Sequence, residues 1–371
     1  MKITNESQTI DSATKESLQC LYHSYPNEKL LFFDIETTGF VAKHSTLYLI
    51  GCLWISEEQI HIQQWFNESG KEECEILAAF IEFYKNFTCC IHFNGANFDI
   101  PYLRQKAEIY HLDFELDTQL YQIDILKEIR PLKQILHLDN LKQIMIEKFL
   151  KITREDLYSG GDLIKVYQHF VSAKNYDDEK RLLLHNHDDM LGMLQILPIL
   201  RYKLLFDGMH TNDIKITDLR IDQTRDTLSI FFSVPSFVSI PQRLSFTKKN
   251  TYITALETSV TITIPIISGC FKHYFNDYKN YYYLPNEDTA IHKSVAMYVD
   301  SCNRIKATKN NCYTKMEGQF IPCYDKSFLE QFKENAQDKE CYQLLDTIKN
   351  QKETATKEYV ICVLKEFIKK G

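Results

Sequence analysis

Residues 30–39, reading LLFFDIETTG, restrict the fold of this chain more than any other stretch. Four apolar residues run into Asp34, Glu36 follows two positions on, and Thr37, Thr38 and Gly39 close the run. An apolar run ended by turn residues predicts a strand buried on both faces. Side chains at i and i+2 of a strand share a face, so Asp34 and Glu36 point the same way while Ile35 turns into the core. Two carboxylates side by side at the end of a buried strand repel each other and lose hydration. A divalent cation is the simplest compensation, because Mg²⁺ or Mn²⁺ takes carboxylate oxygens and keeps waters and substrate phosphate as its other ligands. Two solvated acids at an exposed strand end are the alternative.

The flanking pattern predicts an α/β domain. Leu47–Ile55 and Gln59–Phe66 follow as two more strands of a meander, the second alternating in and out. Glu72–Phe87 carries Ile76, Leu77, Phe80, Ile81, Phe83 and Tyr84 at helical spacing. Cys89–Phe93 reads as a further buried strand ending in Asn94-Gly95, and Asp99–Tyr110 as a helix. Such an order gives a mixed sheet flanked by helices. Residues 1–27 read as a flexible N-terminal arm with one short helix near Ala13–Tyr22, and Tyr121–Leu205 as mostly helical. The helices expected there are Asn140–Leu150, Gly161–Val171 and Tyr176–Leu205, with Ser159-Gly160-Gly161 as a break and Pro198 interrupting the last.

Beyond about Phe206 the texture changes. Ile214–Leu219, Thr227–Val234, Val238–Phe246, Thr251–Leu256 and Val260–Ile267 are short β-branched or aromatic runs, and Pro265 demotes the last to an edge strand or bulge. Helices are expected at about Asp288–Asp300, Lys326–Ala336 and Lys357–Ile368. The organisation predicted is therefore an arm at 1–27, an α/β domain at 28–205, and a β-rich α+β accessory domain at 206–371. A length of 371 residues suits two domains.

Composition excludes several classes. No run of about 18 apolar residues could span a membrane, and the opening MKITNESQTIDSATKESL lacks the apolar core of a signal peptide. Eleven cysteines without CxxC pairs point to reduced thiols and a cytoplasmic setting. Residues 1–201 hold 20 Lys and Arg against 30 Asp and Glu, whereas residues 202–371 hold 23 against 20. Nothing here is a basic nucleic-acid coat. Bound metal ions would let the acidic half meet phosphates.

Two further acidic sites follow. His92–Leu103, HFNGANFDIPYL, places Asp99 after a strand and a Gly-containing turn, either as a functional acid or as the N-cap of the next helix. In His185-Asn186-His187-Asp188-Asp189, His185 and Asp189 are four apart and share one helix face, functional or merely solvated.

Taken in order, FDIETTG, HFNGANFD and HNHDD resemble the three motifs of the DEDD (DnaQ-like) 3′→5′ exonucleases of the RNase H-like superfamily. The nearer branch is the bacterial YprB-type RNase H-like proteins, which residues 150–167, LKITREDLYSGGDLIKVY, also resemble. The resemblance covers roughly residues 29–200. It implies an RNase H-like fold, two Mg²⁺ or Mn²⁺ ions per site and phosphodiester hydrolysis, as a 3′→5′ exonuclease on single-stranded DNA or RNA. Asp34, Glu36, Asp99 and Asp189 match the four metal-binding carboxylates, and His185 falls where a general base would sit. One large subgroup has His five positions before the last Asp and another has Tyr four before it, whereas this chain has His at the Tyr spacing. His187 could therefore replace His185, and Asp188 could replace Asp189.

Two such ions about 3.5–4 Å apart can activate a water, stabilise the pentacoordinate charge and neutralise the leaving oxyanion. Asn94, Asn97 and Phe98 lie close enough in sequence to position a terminal nucleotide, as do the backbone N–H groups of Thr38 or Gly39. Phe40 and Tyr102 are candidates for base stacking, with core packing the competing role for Tyr102. Phe271–Tyr283, FKHYFNDYKNYYY, suits either a half-buried strand pair or a single-strand surface. A catalytically inactive nucleic-acid-binding module and a structural scaffold are the rival functions.

Overall fold

The computed structural model of the chain describes residues 1–153, 160–208, 213–325, 327, 330–349 and 353–369. It divides into two compact units, Met1–Lys203 with Phe237–Gln242, and Leu204–Ser236 with Arg243–Gly371.

The first unit is built on a six-stranded mixed sheet. In chain order its elements are β1 (Lys2–Thr9), α1 (Ser12–Ser24), β2 (Leu30–Thr37), β3 (Leu47–Ser56), β4 (Gln59–Phe66), α2 (Glu73–Tyr84), β5 (Cys89–His92) and α3 (Asp99–Tyr110). Then come α4 (Leu116–Gln119), β6 (Tyr121–Asp124), α5 (Ile125–Ile129), α6 (Gln143–Phe149), α7 (Gly160–Ala173) and α8 (Tyr176–Gln195). The strand order is β1-β4-β3-β2-β5-β6. The first four are antiparallel to their neighbours, and β5 and β6 run parallel to β2. This is the RNase H-like sheet, with helices on both faces.

The alternation in β2 decides what each face holds. Leu31, Phe33 and Ile35 pack with Ile76, Leu77 and Phe80 of α2 and Leu103 of α3 in one core. Burying each such side chain contributes about 1.5–3 kcal/mol. The opposite face is covered by α7 and α8, where Tyr48, Leu49 and Phe66 meet Leu163, Tyr167, Phe170 and Leu182. Asp34 and Glu36 therefore face α8.

Three expectations are corrected in this unit. Residues 1–27 are no loose arm: β1 pairs along its whole length with β4, and Asp11 caps α1 by accepting from the Thr14 N–H at 2.7 Å. The four-residue Tyr121–Asp124, absorbed into a helical reading, is a strand because it completes the parallel edge beside β5. The helix expected over Tyr176–Leu205 ends at Gln195, with a 3₁₀ turn at Leu197–Ile199 around Pro198 and a new helix from Leu200. Residues 154–159 lie outside the described residues, so the expected break at Ser159-Gly160-Gly161 is seen only as the start of α7 at Gly160.

The second unit is β-rich. Strands β7 (Lys215–Asp222), β8 (Thr227–Ser233), β9 (Ile240–Lys248), β10 (Thr251–Glu257) and β11 (Ser259–Pro265) form one sheet in the order β7-β8-β11-β10-β9. β11 is its middle strand rather than an edge, because Pro265 is its last residue and removes no interior ladder bond. The run from Phe271 is strand from Ile267 to Tyr274 and again over Tyr281–Leu284, with Phe271 buried. The helix expected at Asp288–Asp300 is instead a strand, Thr289–His292, and one turn, Lys293–Ala296. Over 330–336 no helix forms, since Phe332 and Lys333 make bridges to Tyr342 and Lys272; Lys326, Phe328 and Leu329 lie outside the described residues. The closing helix, Glu353–Ile368, forms as expected over Lys357–Ile368.

Candidate active site

β2 runs beside β3 with Asp34 opposite Gly51 and Glu36 opposite Leu49, and the register slips between Glu36 and Thr37. Bulges at a sheet rim re-aim side chains there. Glu36 Oε2 accepts from the Tyr48 hydroxyl at 3.3 Å, and Oε1 lies 3.7 Å from His185 Nε2. That nitrogen is 3.3 Å from Asp189 Oδ2. Burial, then the Glu36 charge, pushes the Tyr48 phenol well above its ordinary pKa, so it remains a donor.

α8 supplies His185 and Asp189, and with them Asn186. Asn175 caps it, its side chain accepting from the Asp177 N–H at 2.9 Å. Leu182, Met190 and Leu194 seat the helix, and His185 and Asn186 are buried with them. Asn186 is fully buried; its Nδ2 donates to Asp34 Oδ2 at 3.1 Å, and its Oδ1 accepts from Gln64 Nε2 at 3.0 Å. Gln64 also donates to the Leu183 carbonyl at 2.9 Å and accepts from Thr4 at 3.0 Å. A relay thus runs from the edge strand β1 through β4 and α8 to Asp34. Gly51 leaves room for it: a Cβ there would stand 1.9 Å from Asn186 Oδ1.

The second motif is a rigid turn. Asn94 adopts φ 64°, and its N–H donates to Asp124 Oδ1 at 3.0 Å. His92 Nδ1 accepts from the Gly95 N–H at 3.1 Å while Nε2 meets Gln122 Oε1 at 3.2 Å; burial holds this imidazole below its ordinary pKa despite Asp124 nearby. Asp99 is the first helical residue of α3, whose cap position is Phe98, so Asp99 does not serve as the N-cap. Burial first, and then the charge of Asp34, pushes its carboxyl well above the usual range. Crowded, buried carboxylates of this kind call for a compensating cation.

The residues present fit a hard divalent cation. Glu36, His185 and Asp189 each offer a ligand atom, all within 4.8 Å of one another. Asp34 and Asp189 line the same groove, and Asp99 feels the Asp34 charge. A donor set dominated by carboxylate oxygens suits Mg²⁺ or Mn²⁺. His187 and Asp188 do not join this group: His187 Nε2 lies 3.4 Å from Glu6, and Nδ1 lies 3.4 Å from Asp188 Oδ1.

The substrate candidates divide. Asn94 lines the groove beside Asp34, and Asn97 Nδ2 donates to Asn94 Oδ1 at 2.9 Å. Phe98 meets Phe40 edge-to-face at 5.7 Å, and Phe40 is 88% exposed. The Thr38 N–H is committed to the Thr46 carbonyl at 2.9 Å, and its hydroxyl accepts from the Thr46 N–H at 2.7 Å. Thr38 is thus a loop clamp with no backbone donor left for a nucleotide. Gly39 accepts from the Thr37 hydroxyl and lies against Ser45. Tyr102 is buried, with its hydroxyl on Ser45, as core packing requires.

Sequence reading assigned no role to Asn186, Gly51, Tyr48, Gln64 or Asp124. One signal was available: an isolated glycine in LYLIGCLWI marks close approach of another element. The glutamine and tyrosine carry no such mark, since their partners are 122 and 12 residues away.

Residues 31–200 match a family model of the RNase H superfamily. An uncharacterised protein of Bacillus subtilis strain 168, YprB, is 25% identical over 186 residues, which are 50% of this chain and 45% of that protein. The chain therefore spans less than half the length of this relative. Among solved structures, the family B DNA polymerase of Pyrobaculum calidifontis aligns with 69% of this chain and 35% of its own at 11% identity and a TM-score of 0.36. The zinc-bound E. coli ExoI–ssDNA complex aligns with 62% and 54% at 12% identity and a TM-score of 0.31.

Proposed function

We propose that the first unit is a divalent-metal-dependent nuclease that shortens single-stranded DNA or RNA from its 3′ end. The observation that carries the reading is the convergence of Glu36, His185 and Asp189 within 4.8 Å, beside Asp34 and the buried Asp99. Asp34, Glu36, Asp99 and Asp189 would hold two Mg²⁺ or Mn²⁺ ions. Such ions supply Lewis acidity and charge neutralisation to a phosphodiester, worth several kcal/mol in the transition state.

The chain's own groups do the rest. His185 presents Nε2 to the carboxylates and accepts the proton of the attacking water there. Asn186 fixes the Asp34 carboxylate, and Tyr48 fixes that of Glu36. Asn94 and Asn97 position the terminal nucleotide, and the exposed Phe40, braced by Phe98, stacks on its base for about 1–3 kcal/mol. The 3′ polarity follows the ordered motif trio. The described cysteines are all free, and no described helix is long and apolar enough to cross a membrane.

The test uses the purified chain with 5′- and 3′-labelled single strands of DNA and RNA, in Mn²⁺, Mg²⁺ or EDTA. Stepwise shortening from the 3′ end that stops in EDTA is the expected result. His187→Ala should shorten the strands as fast as the wild type. Binding of the strands without cleavage in any metal would overturn the nuclease reading in favour of a binding module.

A further inference from the structure

Beside the carboxylates the first unit opens a groove of ≈ 530 Å³. Asp34 and Asp189 line it together with Arg130 and Lys142, and Phe93 and Leu126 add apolar surface. Its volume falls within the ~300–1,000 Å³ range of ligand-holding sites. Arg130 opens the 3₁₀ turn Arg130–Leu132 that follows α5, and Lys142 immediately precedes α6. Both side chains are exposed, and among the described residues neither is ion-paired.

The charge balance gives these two cations their meaning. Residues 1–201 carry ten more acids than bases, so a polyanion approaching this unit meets net repulsion. Ions at the carboxylates would neutralise one phosphodiester, and the neighbouring phosphates of a strand would still need local positive charge. Building on the nuclease reading, we propose that Arg130 and Lys142 form a backbone track that holds the phosphates adjoining the scissile bond. Phe93 and Leu126 then face sugars and unpaired bases, which suits a single strand. Arg130 can grip a phosphate with two N–H groups, whereas Lys142 acts as a point charge.

The experiment compares the wild-type chain with Arg130→Ala/Lys142→Ala on two substrates, a labelled single strand and bis(p-nitrophenyl) phosphate. The small diester presents one phosphodiester and no neighbouring phosphates. The double variant should hydrolyse it like the wild type while its KM for the strand rises. Its log KM against log salt should be shallower by about 0.7 per lost phosphate contact, so about 1.4 for the pair. Arg130→Lys should keep most of the slope and lose affinity. An unchanged KM and slope on the strand would overturn the proposal, as would equal loss on both substrates, which would mean that the pair supports the carboxylate site itself. A wild-type chain inert on both substrates would instead overturn the nuclease reading.

Discussion

Gly51→Ala is expected to destabilise the first unit by about 1–3 kcal/mol, the usual cost of forcing a methyl into a packed interior. Its Cβ would stand 1.9 Å from Asn186 Oδ1 and 2.8 Å from Cγ, so the Asn186 side chain must leave its place. Leaving breaks the bond to Asp34 Oδ2 and takes one acceptor from the buried Gln64 amide, which keeps the Leu183 carbonyl. An outer-sphere partner lost from a metal ligand weakens the ion by about 10–100-fold. Urea unfolding and calorimetric titration with Mn²⁺ read the two effects separately. Adding Asn186→Ala to Gly51→Ala should then recover part of the stability, because the clash is gone, and none of the Mn²⁺ affinity. This is the non-additivity expected of residues in contact. A Gly51→Ala chain that unfolds and binds Mn²⁺ like the wild type would remove Asn186 from the account of the site.

That relay marks the limit of what the linear sequence could supply. The acidic strand was legible because period-two alternation leaves one arrangement: Ile35 in the core with α2 and α3, and Asp34 and Glu36 on the other face. The helical face of His185 and Asp189 was legible for the same kind of reason, a fixed spacing of four. Arrangements set by tertiary pairing were not legible. Lys2–Thr9 is polar at nearly every position and becomes a strand only because β4 offers it an edge. Tyr121–Asp124 has four residues, too few for a period, and its identity comes from β5. Asn186 sat inside the motif that was read, yet its role depends on a glycine 135 positions away in a different strand. In the second unit, Pro265 pointed to an edge because a mid-strand proline would be costly, whereas a proline at the last position costs the ladder nothing.

Asp99→Asn should move stability and activity in opposite directions. Without metal, Asp99 is a buried carboxyl whose ionisation is opposed by burial and by Asp34, so at neutral pH the chain carries a destabilising demand there. The isosteric amide keeps the shape and drops the charge. Relieving such an active-site cost commonly gives about 0.5–2 kcal/mol, measured here by urea unfolding in EDTA. The same change removes one of four carboxylates from the proposed ion site. Losing several kcal/mol of transition-state stabilisation corresponds to a fall in hydrolysis on the order of 10³-fold, at about 1.4 kcal/mol per tenfold. Adding Mn²⁺ should raise the unfolding midpoint of the wild type, by about 2.7 kcal/mol at a hundred times its dissociation constant. It should raise that of Asp99→Asn far less, so the order of stability reverses once metal is present. If Asp99→Asn is instead less stable than the wild type in EDTA, Asp99 is a structural acid held by its hydrogen bonds. The crowding of charge at the end of β2 would then not be what an ion relieves.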